Sequence, residues 1–203
     1  FVYVPKGTKL DFPLQSYFRL SAKGAGQFEH TLIVVEDDAD LHFIEGCSAP
    51  KYNVANLHAG AVELFVGKRA KLRYSTIENW SKNMYNLNTK RAIVDEGGAI
   101  EWVSGSFGSH VGYLYPMSIL SGKKSSCTFT GITFAGAGQN LDTGCKVVLN
   151  APDTSAAIET KSISKGGGIA TFRSSVVATK KAEGSAASVS CQSLMLDDMS
   201  RSD

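Results

Sequence analysis

Apolar and polar residues alternate one for one along most of this chain, in short runs such as HTLIVVE, ADLHFIEGC, AVELFVG, AKLRYSTIENW, AIEWVSGSF, SCTFTGITF, AAIETKSIS and ASVSCQSLML. A period of two, bounded by Gly, Asp, Asn and Ser, is the signature of strands with one face buried. The period of an amphipathic helix is nearly absent. The pattern predicts an all-β protein made of many short strands.

A longer period lies beneath. Small residues that end a turn and launch a strand fall at Ala39, Ala70, Gly98, Ser125, Ala156 and Ala187, spaced 31, 28, 27, 31 and 31 apart. Two positions after each stand Leu41, Leu72, Ile100, Cys127, Ile158 and Val189. Two further on stand Phe43, Tyr74, Trp102, Phe129, Thr160 and Cys191. One such unit cannot bury its inner face alone, whereas a stack of them can, with strands about 4.8 Å apart. A β-sandwich is the competing architecture, but its turns come about every 8–12 residues without a repeating column. The expectation is one parallel β-helix over residues 1–203, about two strands per turn, with Phe43, Tyr74, Trp102 and Phe129 stacked inside.

Composition narrows the function classes. A net charge of +2 over 203 residues offers no basic face for nucleic acid or an anionic membrane. No apolar run approaches the roughly 20 residues of a spanning helix, and FVYVPKGTKL lacks the layout of a signal peptide. Four scattered cysteines with no C-x-x-C pair read as free thiols in a reducing compartment, and a cytoplasmic location is expected.

Candidate chemistry rests on the thiols. Cys127 and Cys145 read as small buried hydrophobes. Cys47, in FIEGCSAP, falls eight after its launch residue, in a column with Glu78, Ser106, Thr133, Ser164 and Met195. A thiol among polar neighbours is the better candidate for reactivity. Cys191 reads into the column of Phe43 and Trp102, on the last rung. Five rungs, roughly 24 Å, separate it from Cys47, so the two cannot share one metal. Other motifs fail: SGKKS is not a phosphate loop, KGGGIA reads as a turn, and Asp197–Asp198 as a solvent turn. A carbohydrate-active β-helix would want outward carboxylates on adjacent rungs. The column six after launch instead reads Glu45, Thr76, Ser104, Gly131, Ser162 and Ser193.

The segments QSYFRLSAKGAGQFEHTLIVVEDDADLHFIEGCSAP, LHAGAVELFVGKRAKLRYSTIENW, NLNTKRA and DTGCKV…ETKSISKGG together resemble the SufB family, scaffold subunits of SUF iron–sulfur cluster assembly. The resemblance implies a right-handed parallel β-helix, and a chain that is the core of a longer protein lacking its N-terminal region and C-terminal helices. It implies a non-enzymatic scaffold within a SufB–SufC–SufD type complex, with ATPase activity in a SufC-type partner. A SufD-type paralogue or a second SufB would pair with it, and a SufE- or SufU-type protein would donate sulfur. A plastid is the implied location if the source is a plastid-bearing eukaryote. Cys47 matches the family's sulfur acceptor and Cys191 its cluster-assembly thiol, which would bind iron with ligands from a partner or from the missing C-terminal segment. Arg19, Glu78, Trp80 and Lys90 match polar positions along the sulfur route, Glu78 standing where the family commonly has Gln. The implied cargo is a transient iron–sulfur cluster, and whether a flavin joins the complex stays open. The alternative is a SufD-like interaction subunit with inert thiols.

Overall fold

The computed structural model describes residues 1–203 as fifteen strands and no helix, hence no helix able to cross a membrane. In chain order they are β1 (Val2–Val4), β2 (Leu14–Arg19), β3 (Gly26–Val35), β4 (Asp40–Ser48), β5 (Asn56–Val66), β6 (Lys71–Asn79), β7 (Met84–Val94) and β8 (Ala99–Ser106). There follow β9 (Val111–Leu120), β10 (Ser126–Ala135), β11 (Asn140–Leu149), β12 (Ser155–Ser164), β13 (Ile169–Ala178), β14 (Ala186–Met195) and β15 (Arg201–Ser202). Odd strands form one all-parallel sheet and even strands the other, each strand pairing with the one two places away in sequence. The chain is therefore a β-solenoid of about seven turns with two strands per turn.

Alternation does the sorting. In β12 every second residue is buried and its neighbours are exposed, so one face of each sheet looks into the solenoid. The aromatic column holds: Phe43, Tyr74, Trp102 and Phe129 pair in register on β4, β6, β8 and β10. Ring centroids lie 5.5 Å apart from Phe43 to Tyr74 and again from Tyr74 to Trp102. Ile33, Leu64 and Val147 face them from the odd sheet and complete the apolar core.

One corner of the solenoid is a stack of like turns. Asp38, Arg69, Gly97, Lys124, Asp153 and Gly184 all adopt left-handed backbone conformations there. The amide of each of the first five donates to a carbonyl of the next rung's turn, at 2.8–3.1 Å. Charge alternates along this edge, and Asp38 with Arg69, Lys68 with Glu96 and Lys123 with Asp153 pair across rungs. Left-handed geometry costs a residue with a β-carbon about 1–2 kcal/mol. Pairing with the rung below holds it in place.

The structure corrects the sequence columns at one step. Cys127 pairs with Ala156 and Phe129 with Ile158, so the fifth and sixth rungs launch at Thr154 and Ser185, not at Ala156 and Ala187. A shift of two leaves every side chain on its own face, so alternation cannot detect it. The aromatic column therefore continues into Ile158 and Val189. Cys191 stands instead in the column Glu45, Thr76, Ser104, Gly131, Thr160. Cys47 heads the column Glu78, Ser106, Thr133, Ser162, Ser193, rather than one ending in Ser164 and Met195.

Candidate functional site: a buried ionic chamber

The two halves of the solenoid interior differ. Beside the stacked turns the lumen is aliphatic and aromatic. Toward the opposite corner, the inward positions of β3 to β7 carry Glu29, Glu45, Cys47, His58, Thr76, Glu78, Asn86, Asn88 and Lys90, all but Glu29 and Asn88 less than a tenth exposed. Burial of charge is costly unless each ion is paired and hydrogen-bonded. Here the pairing is extensive.

Lys90 Nζ donates to Glu45 Oε1 at 2.8 Å and to Thr76 Oγ1 at 2.9 Å, and lies 5.0 Å from the Tyr74 ring centroid. The Tyr74 hydroxyl donates to the other oxygen of Glu45. Glu78 accepts from Asn86 Nδ2 at 2.6 Å and from Asn88 Nδ2 at 2.7 Å. Because Asn86 spends its amide hydrogens on Glu78, its oxygen faces His58 Nδ1, 2.7 Å away. His58 Nε2 meets the carboxylate of Glu29. Both imidazole nitrogens thus face acceptors, an arrangement that suits the imidazolium.

Electrostatics follows from this geometry. Burial disfavours the Glu45 carboxylate, but Lys90 and Tyr74 outweigh it and hold its pKa below the usual range. Glu78 lies above that range, because burial and the charge of Glu45 exceed the help of Lys90 and His58. Burial works against the charge on Lys90, and the two glutamates more than offset it, so Lys90 stays a cation. For His58 burial is likewise outweighed by Glu29 and Asn86, which raise its pKa. Burial, then Glu45 and Glu78, push the Cys47 thiol far up. Cys47 therefore rests as a neutral thiol, 2% exposed, its Sγ 3.9 Å from Glu45 Oε1.

The site residues read from the sequence are divided by the fold. Cys47, Glu78, Trp80 and Lys90 come together. Trp80 packs with Cys47, Leu20 and Met84, and its ring lies 4.6 Å from that of His58. Arg19 does not join them: it is exposed on the outer side of β2, opposite Ser48, while its inward neighbour Phe18 pairs with Cys47. The cation beside Cys47 is Lys90 alone, and it is already committed to Glu45. Cys191 stands apart, exposed on the edge strand β14. Between the thiols, the Cys191 column runs through Thr76, Ser104, Gly131 and Thr160, and the Cys47 column through Glu78 and then Ser106, Thr133 and Ser162, so that beyond Glu78 none is larger than threonine. A cavity of about 10 Å³ bordered by Glu78, Ser106 and Thr143 lies along them. No three His, Cys, Asp or Glu side chains converge as a metal site anywhere in the chain.

Sequence reasoning missed Glu29, Glu45, His58, Tyr74 and Asn86 as members of the chamber. A signal existed for some of them: Glu45 and Lys90 occupy inward positions of alternating strands, where a charge needs a partner. Which partner it finds depends on contacts such as Lys90 to Glu45, 45 residues apart.

Comparison with known proteins identifies the lineage. The family described as "SUF system FeS cluster assembly, SufBD core domain" matches residues 18–203. The chain belongs to the SufBD family. It is similar to the iron-sulfur cluster assembly protein SufB of Bacillus subtilis (strain 168), 45% identical over all 203 residues. An iron-sulfur cluster assembly SufBD family protein of Staphylococcus aureus (strain MRSA252) is 47% identical over the same length. The SufBD chain described here spans 44% of the length of each of these two relatives.

Proposed function

We propose that this chain is the β-helical core of a SufB-type scaffold, with Cys47 as sulfur acceptor and Cys191 as the thiol that holds nascent cluster. One observation carries the reading: both thiols belong to inward columns, and beyond Glu78 the positions between them are small and mostly polar. In the loading step, the Cys47 sulfur attacks the outer sulfur of a donor persulfide. The new S–S bond forms on Cys47 as the donor's breaks, and the donor leaves as a thiolate with the bonding pair. The proton of Cys47 passes to Glu45, its nearest acceptor, and on to the departing thiolate. No electrons are gained or lost overall.

At about 24 Å the two thiols cannot exchange sulfur directly. A thiol reductant supplies two electrons, cleaves the Cys47 persulfide and releases sulfide, which the polar columns lead toward Cys191. Iron and sulfide meet there as substrates. Thiolate is the suitable soft ligand, and the remaining ligands come from outside this chain. The partners are a SufC-type ATPase, a SufD-type paralogue or second SufB, and a SufE- or SufU-type donor, in the cytoplasm; the scaffold itself is not an enzyme.

A second reading, an interaction subunit with inert thiols, is favoured by the burial and neutrality of Cys47. Reconstitution of the full-length protein with its partners separates the two. Under the scaffold reading, Cys191→Ser abolishes cluster absorbance with either a persulfide donor or free sulfide. Cys47→Ser fails with the persulfide and is partly rescued by sulfide. Normal clusters in both variants would establish the inert-thiol reading.

A further inference from the structure

Trp80 Nε1 is the sole buried side-chain nitrogen or oxygen atom in this protein without a hydrogen-bond partner. Buried donors are nearly always paired, and an orphan calls for an explanation. The other tryptophan shows the ordinary solution: Trp102 Nε1 donates to Ser118 Oγ at 2.9 Å. Trp80 is 2% exposed, packs against Cys47, and sits in a chamber where every neighbouring polar group is already engaged.

The charge balance of the chamber points the same way. Cys47 faces Glu45 on its own strand and Glu78 in register on β6, with Tyr74 on β6, His58 on β5, Glu29 on β3 and Lys90 on β7 completing the titratable groups. The resting thiol has an acceptor in Glu45 and needs no further donor. Once Cys47 carries an added sulfur, the outer atom is a more acidic, anionic group about 2 Å beyond Sγ. Glutamate oxygens cannot stabilise it, both ring nitrogens of His58 are directed at Asn86 and Glu29, and Lys90 has two of its three hydrogens on Glu45 and Thr76.

Resting on the sulfur-acceptor reading above, we propose that the indole N–H of Trp80 is held in reserve as the hydrogen-bond donor to the outer sulfur of a Cys47 persulfide. The donor is unpaired in the resting state because its acceptor arrives only with the cargo. Its position beside Cys47 makes Trp80 a binding residue for the carried sulfur, and tilted ring contact with His58 keeps the indole in place.

The decisive variant removes the N–H and keeps the shape of the ring. In the full-length protein, Trp80 is replaced by Phe and, separately, by benzothienylalanine, which keeps the indole shape but has sulfur in place of N–H. Each protein is loaded with a low-molecular-weight persulfide, and peptide mapping assigns the sulfur to Cys47. Cyanide extraction times the loss of the outer sulfur, and near-ultraviolet absorbance against pH gives the ionisation of the persulfide. A hydrogen bond to a charged acceptor implies roughly tenfold faster loss in both variants and an ionisation midpoint about one unit higher. A purely packing role would leave the benzothienyl variant like the wild type. Loss rates within twofold of wild type and an unmoved midpoint in that variant overturn the proposal, even if the Phe variant folds poorly. Wild-type protein that carries no outer sulfur on Cys47 overturns the acceptor reading itself, and the role of Trp80 with it.

Discussion

Replacing Lys90 by Met isolates the electrostatics of the chamber. The Lys90 and Glu45 side chains are 2% and 5% exposed, and their charged atoms are 2.8 Å apart. At an effective dielectric of about 20, that separation corresponds to roughly 6 kcal/mol of attraction, most of it offset by the desolvation of both ions. Removing the cation alone keeps the desolvation cost of Glu45 and forfeits the attraction. Glu78 loses its strongest favourable neighbour as well. The expected loss at neutral pH is about 3–5 kcal/mol, the usual result of breaking a buried pair from one side.

The pH dependence discriminates further. In the wild type the lowered pKa of Glu45 contributes stability that is full above its unfolded value and is lost as pH falls through its folded value. In Lys90→Met, Glu45 has no cation, so its folded pKa rises above the unfolded one. The penalty is then absent at low pH and grows as pH rises through the raised value. Urea unfolding at a series of pH values should show the two proteins converging near pH 4 and diverging toward pH 8. The double variant Lys90→Met, Glu45→Gln should recover at least half of the loss. A deficit under about 1 kcal/mol, or one flat in pH, would show that the ion pair does not govern this interior.

Other outcomes test other parts of the structure. Trp102→Ala should cost about 3–5 kcal/mol in urea unfolding, because it opens a cavity in the aromatic column and strands Ser118; a loss below 1 kcal/mol would contradict the stack. Gly108→Ala places a β-carbon 2.0 Å from the carbonyl oxygen of Trp80, so it should shift Trp80 fluorescence and displace the chamber wall. An unchanged spectrum would refute that close approach. In thiol labelling of the folded protein, Cys191 should react promptly, Cys127 and Cys145 only at the rate of unfolding, and Cys47 between these limits, at the rate at which the chamber admits a small reagent. Fast labelling of Cys47 would mean that the chamber opens readily.

Alternation with a period of two settled the inward or outward sense of nearly every side chain, since a strand offers only two faces. The recurrence near 30 residues settled the solenoid, because an inner face that one rung leaves open must be covered by the next. Motifs such as EGCSAP and YSTIENW carried the family. What the tertiary structure alone decided is which inward residue lies above which. The small residues Ala156 and Ala187 resemble launch positions, and a slip of two changes no burial pattern, so only the stacked left-handed turns at Asp153 and Gly184 fix the register there. The same limit hid the chamber. Whether Cys47 rests as thiol or thiolate depends on Glu45, Glu78 and Lys90 meeting around it, and Coulomb interactions depend on distance in space. Arg19 is nearer to Cys47 in sequence than Lys90 is and yet faces solvent, whereas Lys90 enters the chamber and bonds Glu45.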